Sequence, residues 1–297
     1  MSHAALQIGC DRRTLARERA RCQGNYDPDL AEKHRRAARS RLRPYKLDGL
    51  LKQRLEDLLA SELSPEQAVG RMKLEGLPTV SFSTAYRLIY ADASSGGTLY
   101  THSRSGRRRP KKRPERPTIR GILRNRRPIC ERPASVDRLE RTGDLEIDTI
   151  VGTPRKGALV TVVDRVSLHT WIAQTPDGSR RSDPVATVLS SRLRAHKDRI
   201  HTITSDNGKE FAEHRRVAKA LKTDWFFADP YCTNQRARVE NVNALIRQYL
   251  PKGKDLRLVG RKEIRIICDK LNHRPRKKLG YRTPHEVFFE TTETLIT

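Results

Sequence analysis

Cysteine is scarce and unpatterned in the 297-residue chain. Cys10, Cys22, Cys130, Cys232 and Cys268 are odd in number and never spaced as Cys-x-x-Cys. That argues against a disulfide framework and a zinc ribbon, so free thiols in a reducing compartment are expected. No apolar run approaches the ~18–20 residues that span a bilayer. The N-terminus also lacks the apolar stretch of a signal peptide. A soluble intracellular protein with no membrane partner is expected. Acidic residues are short as well: 35 Asp and Glu stand against 61 Lys and Arg, a formal charge of +26. An excess of that size points to a polyanionic partner, because binding a phosphate backbone releases its counterions. A solubilising surplus or a ribosome-associated protein is the alternative.

The N-terminal third reads as helical. Residues 6–22 form a basic helix that includes Arg12 and Arg13. Residues 28–63 form a longer helical stretch, in which Leu47, Leu50, Leu51, Leu55, Leu58 and Leu59 recur at three- and four-residue intervals. At residues 64–90, Ser64, Pro65 and Gln67 make a capping box with proline at the first helical position. Gly76 and Pro78 end that helix, and Ser81 starts a second one carrying Arg87. Two short helices joined by a glycine-containing turn make a helix-turn-helix candidate, or an ordinary helical hairpin.

Composition changes over residues 101–142. From Arg104 to Arg132 there are thirteen Lys or Arg, among them Arg107, Arg108, Arg109, Lys111 and Lys112, with five prolines from Pro110 to Pro133. Such a stretch cannot bury a core and reads as a basic linker or arm, touching nucleic-acid backbone without reading sequence. Residues 143–290 then alternate. Strands are expected at 145–152, 158–166, 167–175, 201–208 and 224–229, and helices at 182–198, 210–222 and 238–250. The fold class is α/β, with a mixed five-stranded sheet flanked by helices. The domains expected are a helical region over 1–100, the linker, and this α/β core.

Three acids stand where chemistry would use them. Asp148 lies mid-strand in a β-branched segment, where an unpaired buried carboxylate is costly. Asp206 ends the strand HTITSD before an Asn207-Gly208 turn, at the strand edge where open α/β sheets bind ligands. Glu240 opens a helix, with Asn241 and Asn243 beside it. Carboxylates suit hard divalent ions, and two such ions about 3.5–4 Å apart serve in-line displacement at phosphorus. Each acid also has an ordinary reading, as an edge-strand acid, a turn former and a surface helix residue. Glu146, Asp164, Glu210 and Asp229 compete with them on spacing alone.

The surrounding words carry more. ITSDNGKEFAEH (203–214), FADPYCTNQRARVENVNALIRQYLPKG (227–253) and LNHRPRKKLGYRTPHEVF (271–288) resemble transposases of the bacterial insertion-sequence-30 family, within the DDE transposases and retroviral integrases. The 33 residues between Asp206 and Glu240 match that family's spacing. The resemblance covers residues 143–290, and the helix pair at 64–90 resembles the family's second helix-turn-helix. It departs at Ala237-Arg238-Val239, where the family has a stretch like Gly-Thr-Asn. Residues 6–22 match only the recognition-helix half of the first helix-turn-helix.

The resemblance implies a ribonuclease-H-like core, with Asp148, Asp206 and Glu240 as catalytic and metal-binding residues for two Mg²⁺ or Mn²⁺ ions. It implies cleavage at terminal inverted repeats to expose a 3′-hydroxyl, which then attacks a second phosphodiester and joins strands without ATP. Arg247, Lys252, Arg274, Arg276 and Lys277 are implied DNA contacts. The partners implied are terminal-repeat and target double-stranded DNA, bound by a homodimer or larger assembly in the bacterial cytoplasm at the nucleoid. A nuclease of the same fold that does not join, and an inactive DNA-binding regulator derived from a transposase, are the other readings.

Overall fold

The computed structural model describes residues 2–20, 27–40, 49–102, 123, 125–152, 157–176, 178–230 and 232–290. The chain divides into two compact units, Met1–Arg54 and Leu55–Thr297. In the first, α1 (Ser2–Ile8) packs on α2 (Arg12–Ala20), and α3 (Pro28–Ser40) follows. The stretch 6–22 is therefore not one helix. Gly9 turns left-handed at φ +68°, and the Cys10 N–H closes on the Ala5 carbonyl, which ends α1. Asp11 Oδ1 then accepts the Arg13 N–H at 2.7 Å and starts α2. The basic helix has a partner before it, which the pattern of residues 6–22 does not reveal.

Helix α4 (Gly49–Ala60) carries the leucine stripe, with Leu55 and Leu59 buried. Helices α5 (Pro65–Leu74) and α6 (Phe82–Ser94) form as the capping signals require. Ser64 Oγ accepts the Gln67 N–H at 3.2 Å, and Gln67 Oε1 accepts the Ser64 N–H at 3.0 Å. This pair belongs to the second unit. Gln67 Nε2 donates to the Pro275 carbonyl at 2.9 Å, and Arg71 pairs with Glu286 at 2.8 Å. The boundary between the compact units falls at residue 54. Those polar ties between distant segments leave no local trace in the sequence.

Six strands form one sheet in the order β1-β6-β5-β2-β3-β4. They are β1 (Arg127–Pro128), β2 (Asp144–Val151), β3 (Ala158–Asp164), β4 (Thr170–Gln174), β5 (Thr202–Ser205) and β6 (Asp224–Phe227). Strands β2, β3 and β4 run antiparallel in succession, while β2–β5, β5–β6 and β6–β1 are parallel. Five strands were expected. The sixth, β1, comes from the stretch read as linker, and Arg127 explains it. Its guanidinium lies 4.7 Å over the Phe226 ring and pairs with Asp224 at 2.6 Å, so a charged arm residue closes the sheet edge. Helix α7 (Ala134–Arg138) folds against the core too, with Val136 buried. Arg107, Arg108, Arg109, Lys111 and Lys112 lie outside the described residues.

Every residue of β3 is buried, because helices cover both faces of the sheet. On one face α8 (Ser182–Leu193) and α9 (His214–Leu221) meet Leu145, Ile147, Val162 and Phe227. On the other, α10 (Ala237–Tyr249) and α11 (Arg261–Asn272) meet Ile150, Leu159 and Val163. Helix α12 (Pro284–Phe289) closes the first cluster with Phe288. The alternation along β2 is decisive for the site. Leu145 and Ile147 enter the first cluster and Ile150 the second, so Glu146 and Asp148 share Ile150's face, toward α10. The result is a mixed α/β core, one six-stranded sheet covered by helices on both faces.

Candidate active site

Asp148 and Asp206 meet at adjacent strands. Asp148 sits on β2, and Asp206 follows the last residue of β5, the parallel neighbour of β2. Between their carboxylates lies the guanidinium of Arg236, with Nη1 3.8 Å from Asp148 Oδ1 and Nη2 3.7 Å from Asp206 Oδ2. Asp148 Oδ1 accepts the Thr149 N–H at 2.8 Å, and Asp206 Oδ1 accepts the Gly208 N–H at 2.9 Å. Burial pushes the Asp148 carboxyl up to about 6. Arg236 and the Thr149 N–H oppose that shift, while the charges of Asp206 and Glu210 add to it.

Gly208 has a role other than turning the chain. Its φ is −67°, open to any residue, so the Asn-Gly pair is not a left-handed turn. A Cβ there would lie 2.5 Å from Glu210 Oε2 and 2.8 Å from Asp206 Oδ1. Glycine is needed for the close approach of two carboxylates. Glu210 is buried, accepts the Thr149 hydroxyl at 3.0 Å and pairs with Arg180. Asn207 stitches the loop, accepting from Arg126 at 2.5 Å and donating to the Ala228 carbonyl at 2.7 Å.

Helix α10 carries Glu240. Glu240, Asn243 and Arg247, spaced by three and four, share one helical face. Asn243 Nδ2 donates to Asp148 Oδ2 at 2.9 Å, and Arg247 Nη2 donates to the Val151 carbonyl at 2.8 Å. That face therefore runs along β2. Glu240 lies one turn ahead of Asn243, about 4.5 Å along the axis. The helix start is held by Glu146, whose Oε2 accepts the N–H groups of Arg238 and Val239, each at 3.0 Å. Glu146 is fully buried and pairs with Arg165 at 3.0 Å, and burial raises its carboxyl above the ordinary range. It therefore caps a helix, and does so across 92 residues of sequence. Asp164 shapes the turn between β3 and β4, accepting from Gly143, Val166 and Ser167.

Among the described residues, no group of three or more His, Cys, Asp or Glu is arranged to hold a metal ion. Asp148 and Asp206 nevertheless supply paired carboxylate oxygens, the donor type a hard divalent cation takes. Asn243 Oδ1 is a buried oxygen without a hydrogen-bond partner beside Asp148, which adds a further oxygen donor.

Relatives of known type settle the family. A transposase for insertion sequence element IS4351 from Bacteroides fragilis is 44% identical over 291 residues, covering 96% of this chain and 88% of that one. A transposase for insertion sequence element IS1086 from Cupriavidus metallidurans is 31% identical, covering 95% and 87%. Transposase InsI for insertion sequence element IS30A from Escherichia coli is 30% identical, covering 92% and 74%. The chain belongs to the insertion-sequence-30 family of transposases. No protein-family model matches it. Among solved structures, a chain of a simian T-cell lymphotropic virus intasome is similar at TM-score 0.43 and 18% identity, covering 68% of this chain and 71% of that one.

The basic residues of this transposase divide into exposed and internal. Arg12, Arg13, Arg87 and Lys252 are exposed. Arg274 is buried, donating to Gln67 and to the Glu62 carbonyl, so a solvent-facing phosphate contact does not hold for it. Arg276 is half-buried and donates to the Leu271 carbonyl at 3.2 Å. Lys277 is exposed but pairs with Glu66 at 2.6 Å, and Arg247 is tied to β2 as described. Arg274 and Lys277 tie α5 and the turn before it to the C-terminal segment. The most informative residue that sequence reasoning misses is Arg236. Its only signal is a cationic residue four positions before Glu240. Arg238, a departure from the family's pattern, is accommodated by donating from Nε to the Arg165 carbonyl at 2.7 Å. Among the described residues, no helix is long and apolar enough to cross a membrane.

Proposed function

We propose that this transposase cuts and joins DNA at Asp148, Asp206 and Glu240, acting as carboxylate ligands of two Mg²⁺ or Mn²⁺ ions. The observation that carries the reading is the meeting of Asp148 and Asp206 across one guanidinium, beside a helix face bearing Glu240. Bound there, the ions would offset negative charge on the attacking and leaving oxygens at phosphorus.

The chain's own residues orient the donors. Asn243 holds Asp148 Oδ2, the Thr149 N–H holds Oδ1, and the Gly208 N–H holds Asp206 Oδ1. Glu146 fixes where α10 begins, and with it the height of Glu240 along β2. Positioning of this kind supplies much of the catalysis in phosphoryl transfer. Water first hydrolyses one phosphodiester at the element end, leaving a 3′-hydroxyl and a 5′-phosphate. The 3′-hydroxyl then attacks a second phosphodiester: one P–O bond forms, one breaks, and no ATP is consumed. The N-terminal helices, with exposed Arg12, Arg13 and Arg87, bind terminal inverted repeats. Two ends held together require a dimer or larger assembly.

The test is a strand-transfer assay with matched terminal-repeat DNA and Mg²⁺, comparing the parent protein with D148N, D206N and E240Q. Cleavage and joining should fall to background in each variant while DNA binding persists. Joining by any of the three rejects the assignment. Cleavage without joining by the parent protein would make it a nuclease, and binding without cleavage a regulator.

A further inference from the structure

We infer that Arg236 is the resident countercation of the Asp148–Asp206 pair, and that a divalent ion binds these carboxylates by displacing its guanidinium. The inference rests on the proposal that the two acids are metal ligands.

Arg236 differs from the other buried arginines in how it is held. Arg165 meets Glu146 at 3.0 Å, and Arg132 donates to Thr204 Oγ1 at 2.9 Å, both within hydrogen-bond distance. Arg236 lies 3.8 and 3.7 Å from its two carboxylates, beyond hydrogen-bond reach, with one long bond of 3.3 Å to the Ile147 carbonyl. Among the described residues its one hydrogen bond is that to the Ile147 carbonyl, so its hold on the two carboxylates is by charge and not by hydrogen bonding. Its Nη1 faces one acid and its Nη2 the other, so it does not fork onto a single carboxylate. Only 8% of the residue is exposed, and the low-dielectric surroundings strengthen its attraction to both acids. A guanidinium so placed neutralises part of the repulsion between Asp148 and Asp206.

The same position conflicts with a divalent ion. Two cations within about 4 Å of the same oxygens repel strongly, so ion binding and the present guanidinium position exclude each other. The backbone on both sides of Arg236 is held: Gln235 is anchored through its side chain to the Asp229 N–H at 2.8 Å, and Glu146 holds the N–H groups of Arg238 and Val239. Release therefore falls to the side chain. Arg236 is thus a positioning residue that sets the ion threshold of the site.

The experiment is Mn²⁺ titration of the full chain without DNA, followed by electron paramagnetic resonance, for the parent protein, D148N, R236Q and R236K. D148N should lose Mn²⁺ binding. R236Q should bind Mn²⁺ at least fivefold more tightly than the parent, because the competing charge is gone. A residue that only supports the fold would do the reverse. R236K keeps the charge but cannot span two carboxylates, so it should bind about twofold more tightly, and it decides the matter should R236Q not fold by circular dichroism. Unchanged or weaker binding in folded R236Q, or in R236K should R236Q not fold, overturns the inference and leaves the metal reading intact. No Mn²⁺ binding by the parent, or equal binding by D148N, overturns the metal reading itself.

Discussion

Glu146 Oε2 accepts the backbone N–H of Val239 at 3.0 Å, joining the strand that carries Asp148 to the helix that carries Glu240. The bond places a negative charge at a helix start, where unpaired N–H groups and the helix dipole favour it.

Removing that carboxylate takes the buried partner from Arg165, leaving it Asp137 and the Gln235 carbonyl, and leaves two helix N–H groups without their acceptor. E146A should destabilise the protein by about 3–5 kcal/mol in urea unfolding. E146Q, which keeps an oxygen for the N–H groups, should cost clearly less. Equal stability of E146A and the parent would refute the clamp.

Asp148 predicts a pH dependence. Its folded carboxyl titrates near 6, above the ordinary 3.8. The folded state therefore binds more protons than the unfolded state between those values, and stability declines as pH rises through that window. Above pH 6 the charge is a standing cost, so D148N should melt a few degrees higher than the parent at pH 7.5 in EDTA. Below pH 4 the two should melt together. A lower melting temperature for D148N at pH 7.5 would contradict the shift.

Gly208 offers a test of crowding. G208A leaves an ordinary φ but places a methyl group against Asp206 and Glu210. Strand transfer should fall at least tenfold while melting temperature changes by less than a few degrees. A large loss of stability with normal activity would mean the glycine serves the backbone.

Arg274 and Lys252 should behave oppositely. R274A should lower melting temperature, since its guanidinium joins the C-terminal segment to α5. K252A should leave stability unchanged and reduce the salt slope of DNA binding by about 1, as for loss of one phosphate contact. Titrations of end DNA at several salt concentrations, alongside melting curves, separate the two roles.

Much of this was legible in the residues. The capping box at Ser64 and Gln67 and the strand at β3 follow local rules, because each depends on residue types within a few positions. The words around Asp206 and Glu240 carried the family resemblance that singles out the three acids. Gly208 was misleading, since an Asn-Gly pair signals a turn while its use here is spatial. The first unit's helix pair was missed because the left-handed break at Gly9 is short.

By itself the sequence determined the excess of positive charge, the α/β pattern and the family resemblance that marks Asp148, Asp206 and Glu240 as candidates. Charge, periodicity and motif spacing are properties of the chain read in order. Only the tertiary structure decided that Arg236 stands between two acids, that Glu146 caps a distant helix and that Arg274 is internal. Those assignments depend on which charges share a low-dielectric space after folding. That pairing joins residues 93 and 212 positions apart here, so no local pattern encodes it.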